Sequence, residues 1–327
     1  MNAILDFIRA VAPWIAVGLA VAIVTVRTAS RKKNNEKQDD TGDEKQDNYG
    51  MEGMCLGMCF GTAIGATFGN NTGIGISLGM RVEEVKDAIR CHPDAKAVLV
   101  NNPTYYGICS NLREIVALAH AHGMMVLADE AHGTHFYFGE NMPVSAMAAG
   151  ADLASVSMHK SGGSLTQSSF LLVGENAKVT EGHVRAVINI TQTTSASYLL
   201  LSSLDISRRN LALDGKNIVR KVVETANYAR QEIGKIGGYC AFSDALINGD
   251  DIYDFDMTKL SVHTRDIGLA GIEVYDKLRD IYDIQIEFGD IGNIMAYISI
   301  GDRIQDIERL VGALAEISRL YSKEEKR

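Results

Sequence analysis

The sequence predicts an α/β protein with a parallel-rich sheet in a larger unit, a smaller α+β unit at the carboxyl end, and an amino-terminal transmembrane helix. Three observations carry this. Four short apolar runs, KAVLVNN (96–102), MMVLADE (124–130), LASVSM (153–158) and SFLLVG (169–174), lack polar alternation, as expected of strands covered on both faces. LREIVALAHAH, between the first two, has helical spacing and ends at Gly123, a helix-stop signal. The uncharged run from Ala10 to Val26 would extend about 25 Å as a helix, enough to span a bilayer with help from its flanks.

In chain order, the basic residues Arg27, Arg31, Lys32 and Lys33 follow the apolar run, so the remainder is expected on the cytoplasmic side of the membrane. Residues 1–30 therefore read as an anchor. The stretch 31–50 is nearly all polar with mixed charge and reads as a linker that cannot bury apolar surface. In 51–80, glycines 53, 57, 61, 65, 69 and 73 recur every fourth residue, a stripe that lets helices approach closely in lipid. In water each would cost a helix about 1 kcal/mol relative to alanine. The rival reading of GNNTGIGISLG is a phosphate-cradling loop, but no convincing strand precedes it. The segment reads as a membrane-like piece joined to an unrelated sequence at Arg81.

From Arg81 the strand and helix pattern described above gives a parallel sheet over 81–240. A long helix is expected from Leu199 to Ile236. KLSVH, a helix over Ile267–Asp280, IQIEF, IMAYISI and a last helix from Ile304 to Leu320 make the α+β unit, 241–327.

The formal net charge of -9, with one basic cluster beside the apolar run, argues against a nucleic-acid partner. Cys55, Cys59, Cys91, Cys109 and Cys240 show no C-x-x-C spacing and no histidine at ligand distance, so neither a metal site nor a disulfide framework is expected.

In an open parallel sheet, ligands sit beyond the carboxyl ends of the strands. Two ends stand out: Asp129, closing a strand in ADEAHGTHF, and Lys160, after a strand in SMHKSGG. Pyridoxal phosphate needs a lysine to form a Schiff base and a carboxylate to keep its pyridine nitrogen protonated. Each residue alone has a plainer reading: the aspartate as a helix cap, the lysine as a solvated side chain, His132 as a structural histidine. Their joint placement at strand ends favours the cofactor.

DEAHGTHF (129–136), SMHKSGGSLTQSS (157–169), TQTTSASYLLLSSLDISRRN (191–210) and NPTYYG (102–107) resemble the bacterial ornithine/lysine/arginine decarboxylases of the aspartate-aminotransferase fold, most of all the arginine/lysine type. The resemblance implies type I fold architecture for a pyridoxal-phosphate enzyme, with a partial large domain and a small domain, truncated at its start. It implies Lys160 as the Schiff-base lysine, Asp129 as partner of the pyridine nitrogen, and Ser157 and His159 as phosphate contacts. His132 would lie near the ring as cofactor contact and proton donor, with Lys160 as the other candidate for proton return. Thr193, Thr194 and Ser195 would approach the neighbouring site of a homodimer. The implied reaction is decarboxylation of a basic amino acid. A non-catalytic membrane-anchored fusion or remnant stands as the alternative, because the family's phosphate-binding glycine loop is not recognisable before Arg81.

Overall fold

The computed structural model describes residues 79–322. The expected membrane run, the polar linker and all of the glycine-rich segment except Gly79 and Met80 lie outside these residues. Among the described residues, no helix is long and apolar enough to cross a membrane. Gly79 and Met80 correct the boundary expected at Arg81. Met80 N donates to Ser110 Oγ at 2.8 Å, and a Cβ on Gly79 would fall 2.5 Å from the Asp251 carbonyl oxygen, so both residues pack on the α/β unit.

The chain proceeds through helix α1 (Val82–Cys91), strands β1 (Ala97–Asn101) and β2 (Ile108–Cys109), and helix α2 (Leu112–Ala121). Strand β3 (Met125–Asp129), helix α3 (Ala146–Ala149), strand β4 (Leu153–Val156), the single turn α4 (Met158–Ser161) and strand β5 (Phe170–Val173) follow. Next come α5 (Glu181–Thr191), α6 (Tyr198–Ile236), β6 (Cys240–Ala241), β7 (Asp254–Phe255) and β8 (Lys259–His263). Helix α7 (Gly271–Tyr282), strands β9 (Phe288–Gly289) and β10 (Asn293–Tyr297) and helix α8 (Ile304–Tyr321) complete the described chain.

The first sheet has the order β1-β3-β4-β5. Strands β1, β3 and β4 are parallel, as expected for strands joined through helices. Strand β5 is antiparallel to β4, with Leu153 opposite Val173. This departs from an all-parallel reading because the connection between them contains only one helical turn, α4, and folds back instead of crossing over. Val100, Val126, Ala128, Ala154 and Val156 bury one face against Leu112, Ile115, Val116 and Ala119 of α2 and Val85 and Ile89 of α1. Those positions on α2 follow the i, i+3, i+4, i+7 spacing legible in the sequence. Asn111 caps α2 by accepting from Glu114 N, and Gly123 at φ +76° ends the segment in a left-handed conformation. On the other face, Asn101, Asp129, Ser155 and Leu171 form one exposed row across the four strands. The candidate aspartate therefore points to the face that no described helix covers.

The second sheet, β6-β8-β10-β9, is antiparallel. The helix expected from Ile267 starts at Gly271 instead, since Arg265–Ile267 forms a separate 3-10 turn ended by Gly268 at φ +83°. Helix α6 departs from helical backbone at Asp214, whose carboxylate accepts from Asn217 Nδ2 at 2.6 Å. The small antiparallel pair of β2 with β7, Ile108 opposite Phe255, stitches the 102–107 loop to the approach to β8.

Helix α7 meets β10 with no room to spare: a Cβ on Gly271 would lie 1.9 Å from the Asn293 carbonyl oxygen. Gly271→Ala is expected to lower unfolding free energy by about 1–3 kcal/mol in urea titration, through forced separation of helix and strand. An unchanged midpoint would show that this approach is looser than described.

Candidate functional site

Strand β4 ends at Val156, and the chain turns through Ser157 into the one-turn helix α4 that carries His159 and Lys160. The neighbouring strand β3 ends at Asp129 and leads into the loop that carries Glu130 and His132. Thr134 Oγ1 donates to the Ser157 carbonyl at 3.0 Å, and Lys160 N donates to the same carbonyl at 3.1 Å. These bonds hold the two strand-end loops together.

Lys160 Nζ lies 2.9 Å from His132 Nε2. Lys160 is half-buried, and burial lowers the pKa of its ammonium; Lys259 adds to this, while Asp129 and Glu287 oppose it. His132 is buried, and its pKa falls to about 2, first through burial and then through the cations of Lys259 and Lys160. Its ring is therefore neutral and accepts at Nε2 from Lys160. Its Nδ1 is buried with no hydrogen-bond partner among the described residues. The Tyr105 ring flanks it with centroids 4.2 Å apart. Asp129 is exposed, and its Oδ1 accepts from Ala131 N at 3.1 Å.

Lys160, His132 and Asp129 thus converge. Ser157 is buried at the start of α4, and its side chain makes no capping bond. His159 directs both its backbone N and its Nδ1 to the Ser168 carbonyl, at 3.2 and 2.9 Å. Thr193, Thr194 and Ser195 are exposed between α5 and α6, where Ser195 N donates to Thr193 Oγ1 at 3.1 Å. Among the described residues no hydrogen bond or ion pair joins them to Lys160. Among the described residues no cluster of His, Cys, Asp or Glu could hold a metal ion.

Four groups escaped the sequence reading. Glu130, next to Asp129, is fully buried, accepts from Tyr137 OH and takes Ala146 N at 2.8 Å. Glu287 accepts from Tyr105 OH and acts electrostatically on Lys160. Asp256 and Lys259, both without solvent exposure, pair at 3.0 Å beneath the His132 loop. Asp256 and Lys259, three residues apart at the head of an apolar strand, were the available signal; the partners of Glu130 and Glu287 lie too far off in sequence to be read.

A half-buried lysine and an aspartate at adjacent strand ends of an open α/β sheet define a strand-end site of the kind found in enzymes that hold a cofactor over the sheet. Residues 64–260 match the model of the Orn/Lys/Arg decarboxylase major domain, and the chain belongs to that family. The match begins inside the glycine-rich segment, so the family sequence runs through Arg81, where a junction with an unrelated sequence was expected. The chain is 44% identical over 248 residues to an arginine decarboxylase of Halalkalibacterium halodurans, covering 76% of this chain and 50% of that one. It is 43% identical over 253 residues to an arginine decarboxylase of Bacillus subtilis, covering 77% and 51%. The chain spans about half the length of these relatives. In fold it resembles the Francisella novicida lysine decarboxylase (TM-score 0.62, 19% identity, 75% of this chain and 40% of that one). It also resembles an alanine–glyoxylate aminotransferase from Nostoc (TM-score 0.56, 16% identity, 73% and 65%).

Burial raises the Glu130 carboxyl pKa to about 7, against the opposing effect of Tyr137 and Ala146 N. Between the ordinary glutamate value near 4.3 and about 7, the folded chain keeps a proton that the unfolded chain releases. Stability should therefore fall as pH rises through that window, by on the order of 1–3 kcal/mol, and level off above it. Urea unfolding at a series of pH values should show this slope, and Glu130→Gln should flatten it.

Proposed function

We propose that this chain is a pyridoxal-phosphate-dependent decarboxylase of a basic amino acid, arginine, lysine or ornithine, releasing carbon dioxide and the corresponding amine. The observation that carries the reading is the 2.9 Å contact of Lys160 Nζ with a neutral His132, beside Asp129 at the adjoining strand end. The residues fit the cofactor. Lys160 is a half-buried amine with lowered proton affinity, Asp129 an exposed carboxylate on the same side, and His132 a buried ring with one nitrogen unspent.

Lys160 would hold the cofactor covalently, Asp129 its ring nitrogen, and Ser157 and His159 its phosphate, with His132 as a further contact to the ring. Bound there, pyridoxal phosphate supplies the sink for the electron pair left when the substrate carboxylate departs. Burial keeps His132 uncharged, so its Nε2 accepts a hydrogen bond from Lys160 and orients the amine, while the proton itself stays with Lys160, the stronger base of the two. The proton is returned to the substrate carbon from Lys160 Nζ or through His132.

The substrate's distal cation needs an anion, and Glu287 is placed for it. It is half-buried, braced by Tyr105, and near enough to act on Lys160. A homodimer belongs to the same proposal. Its support is the apolar exposure of Ile190, Tyr198 and Leu199 on either side of the exposed Thr193–Ser195 turn.

Carbon dioxide release from arginine, lysine and ornithine by the full chain tests the activity, which Lys160→Ala should abolish. Glu287→Gln should raise KM by about tenfold or more with a smaller change in kcat, the loss of one charge-assisted hydrogen bond. An unchanged KM would remove Glu287 from substrate recognition.

A further inference from the structure

Lys259 opens β8 with no solvent exposure, a rare place for a lysine. Its ammonium is met on three sides. Asp256 Oδ2 accepts at 3.0 Å, the His132 carbonyl accepts at 3.3 Å, and the Tyr297 ring centroid lies 3.8 Å away. Its own carbonyl is gripped by Arg230 of α6. Its stem runs against Gly107, where a Cβ would fall 2.8 Å from Lys259 Cγ, and where φ is +91°. A glycine is needed there on both counts. Strand, helix and loop thus converge to hold one amine under one carbonyl.

That carbonyl belongs to His132. Since His132 Nδ1 has no partner among the described residues, the ring is not fixed through its second nitrogen. Apart from the Nε2 contact with Lys160, it is fixed by its backbone and by the Tyr105 ring. We propose that Lys259 is a positioning residue: it anchors the backbone of the His132 loop from the second sheet and so sets His132 Nε2 against Lys160 Nζ. The role serves the decarboxylase reading and rests on it for its purpose. A buried ion pair alone could be exchanged for apolar side chains of similar volume without loss of stability, so stability does not account for the ammonium. The groups that face His132 are Lys160 from α4, Lys259 and Asp256 from the second unit, His135 of its own loop, and the rings of Tyr105 and Tyr297.

The test is hydrogen–deuterium exchange at histidine C2, mapped by peptide mass spectrometry on the full chain. The rate on its alkaline plateau, once corrected for the ring's own midpoint on which it also depends, reports how freely solvent reaches each ring, and neither cofactor nor substrate is required. Lys259→Met keeps the length of the stem and removes the amine. It should raise the His132 plateau rate several-fold and leave His120 of α2 and His122 at its carboxyl end unchanged. Its midpoint should also rise, because a neighbouring cation has been removed. If Lys259→Met does not fold, Asp256→Asn, which frees the amine from its anchor, should give the same selective rise in plateau rate. A His132 rate that stays put, or that rises only together with those of His120 and His122, overturns the proposal. A wild-type chain that fails to take up pyridoxal phosphate would instead sink the decarboxylase reading and leave the exchange result intact.

Discussion

The Asp256 carboxylate, shut away from solvent, is the point on which the rest of the site depends. Burial disfavours its charge, yet His135, Lys259 and Thr258 surround it and hold its pKa well below the ordinary range. His135 Nε2 comes within 3.0 Å, and Thr258 reaches the same carboxylate through its N at 3.0 Å and its hydroxyl at 2.8 Å. One of these donors lies on the loop after β3, and the others lead into β8. The loop that presents His132 to Lys160 is therefore built by contacts more than a hundred residues apart in the chain. Losing one partner would leave a buried charge uncompensated, which is far more costly than never having had the pair.

The two lysines of this region divide the chemistry between them. Lys259 is wholly buried but paired, and Asp256 holds its ammonium against the effect of burial. Lys160 faces a neutral histidine, and burial makes it hold its proton more weakly. Lys259 also disfavours a proton on both His132 and Lys160. A fixed cation thus sits behind the site and a movable proton in front of it. That arrangement suits the role proposed for Lys160, in which the side chain must act as an amine.

Much of this was legible in the sequence, for identifiable reasons. The strands ending at Asp129 and Val156 and the apolar stripe of α2 are local patterns, and the structure has them. The strand-end placement of Lys160 and Asp129 followed from the same patterns, since a parallel sheet brings the carboxyl ends of neighbouring strands together. What the sequence did not yield depends on distant partners. The reversal of β5 turns on how Ser157–Ser169 folds back, and the burial of Lys259 on Gly107 and Tyr297. Helix α1 buries only Val85 and Ile89, a stripe too short to stand out among its charged residues, so it is not legible in the sequence.

The most direct test of the central claim is reduction with borohydride in the presence of pyridoxal phosphate, followed by peptide mapping of the full chain. The account predicts one labelled lysine, Lys160, in near-stoichiometric yield, with Lys259 unlabelled because it is buried and paired. Label distributed over surface lysines with no preference for Lys160 would contradict it.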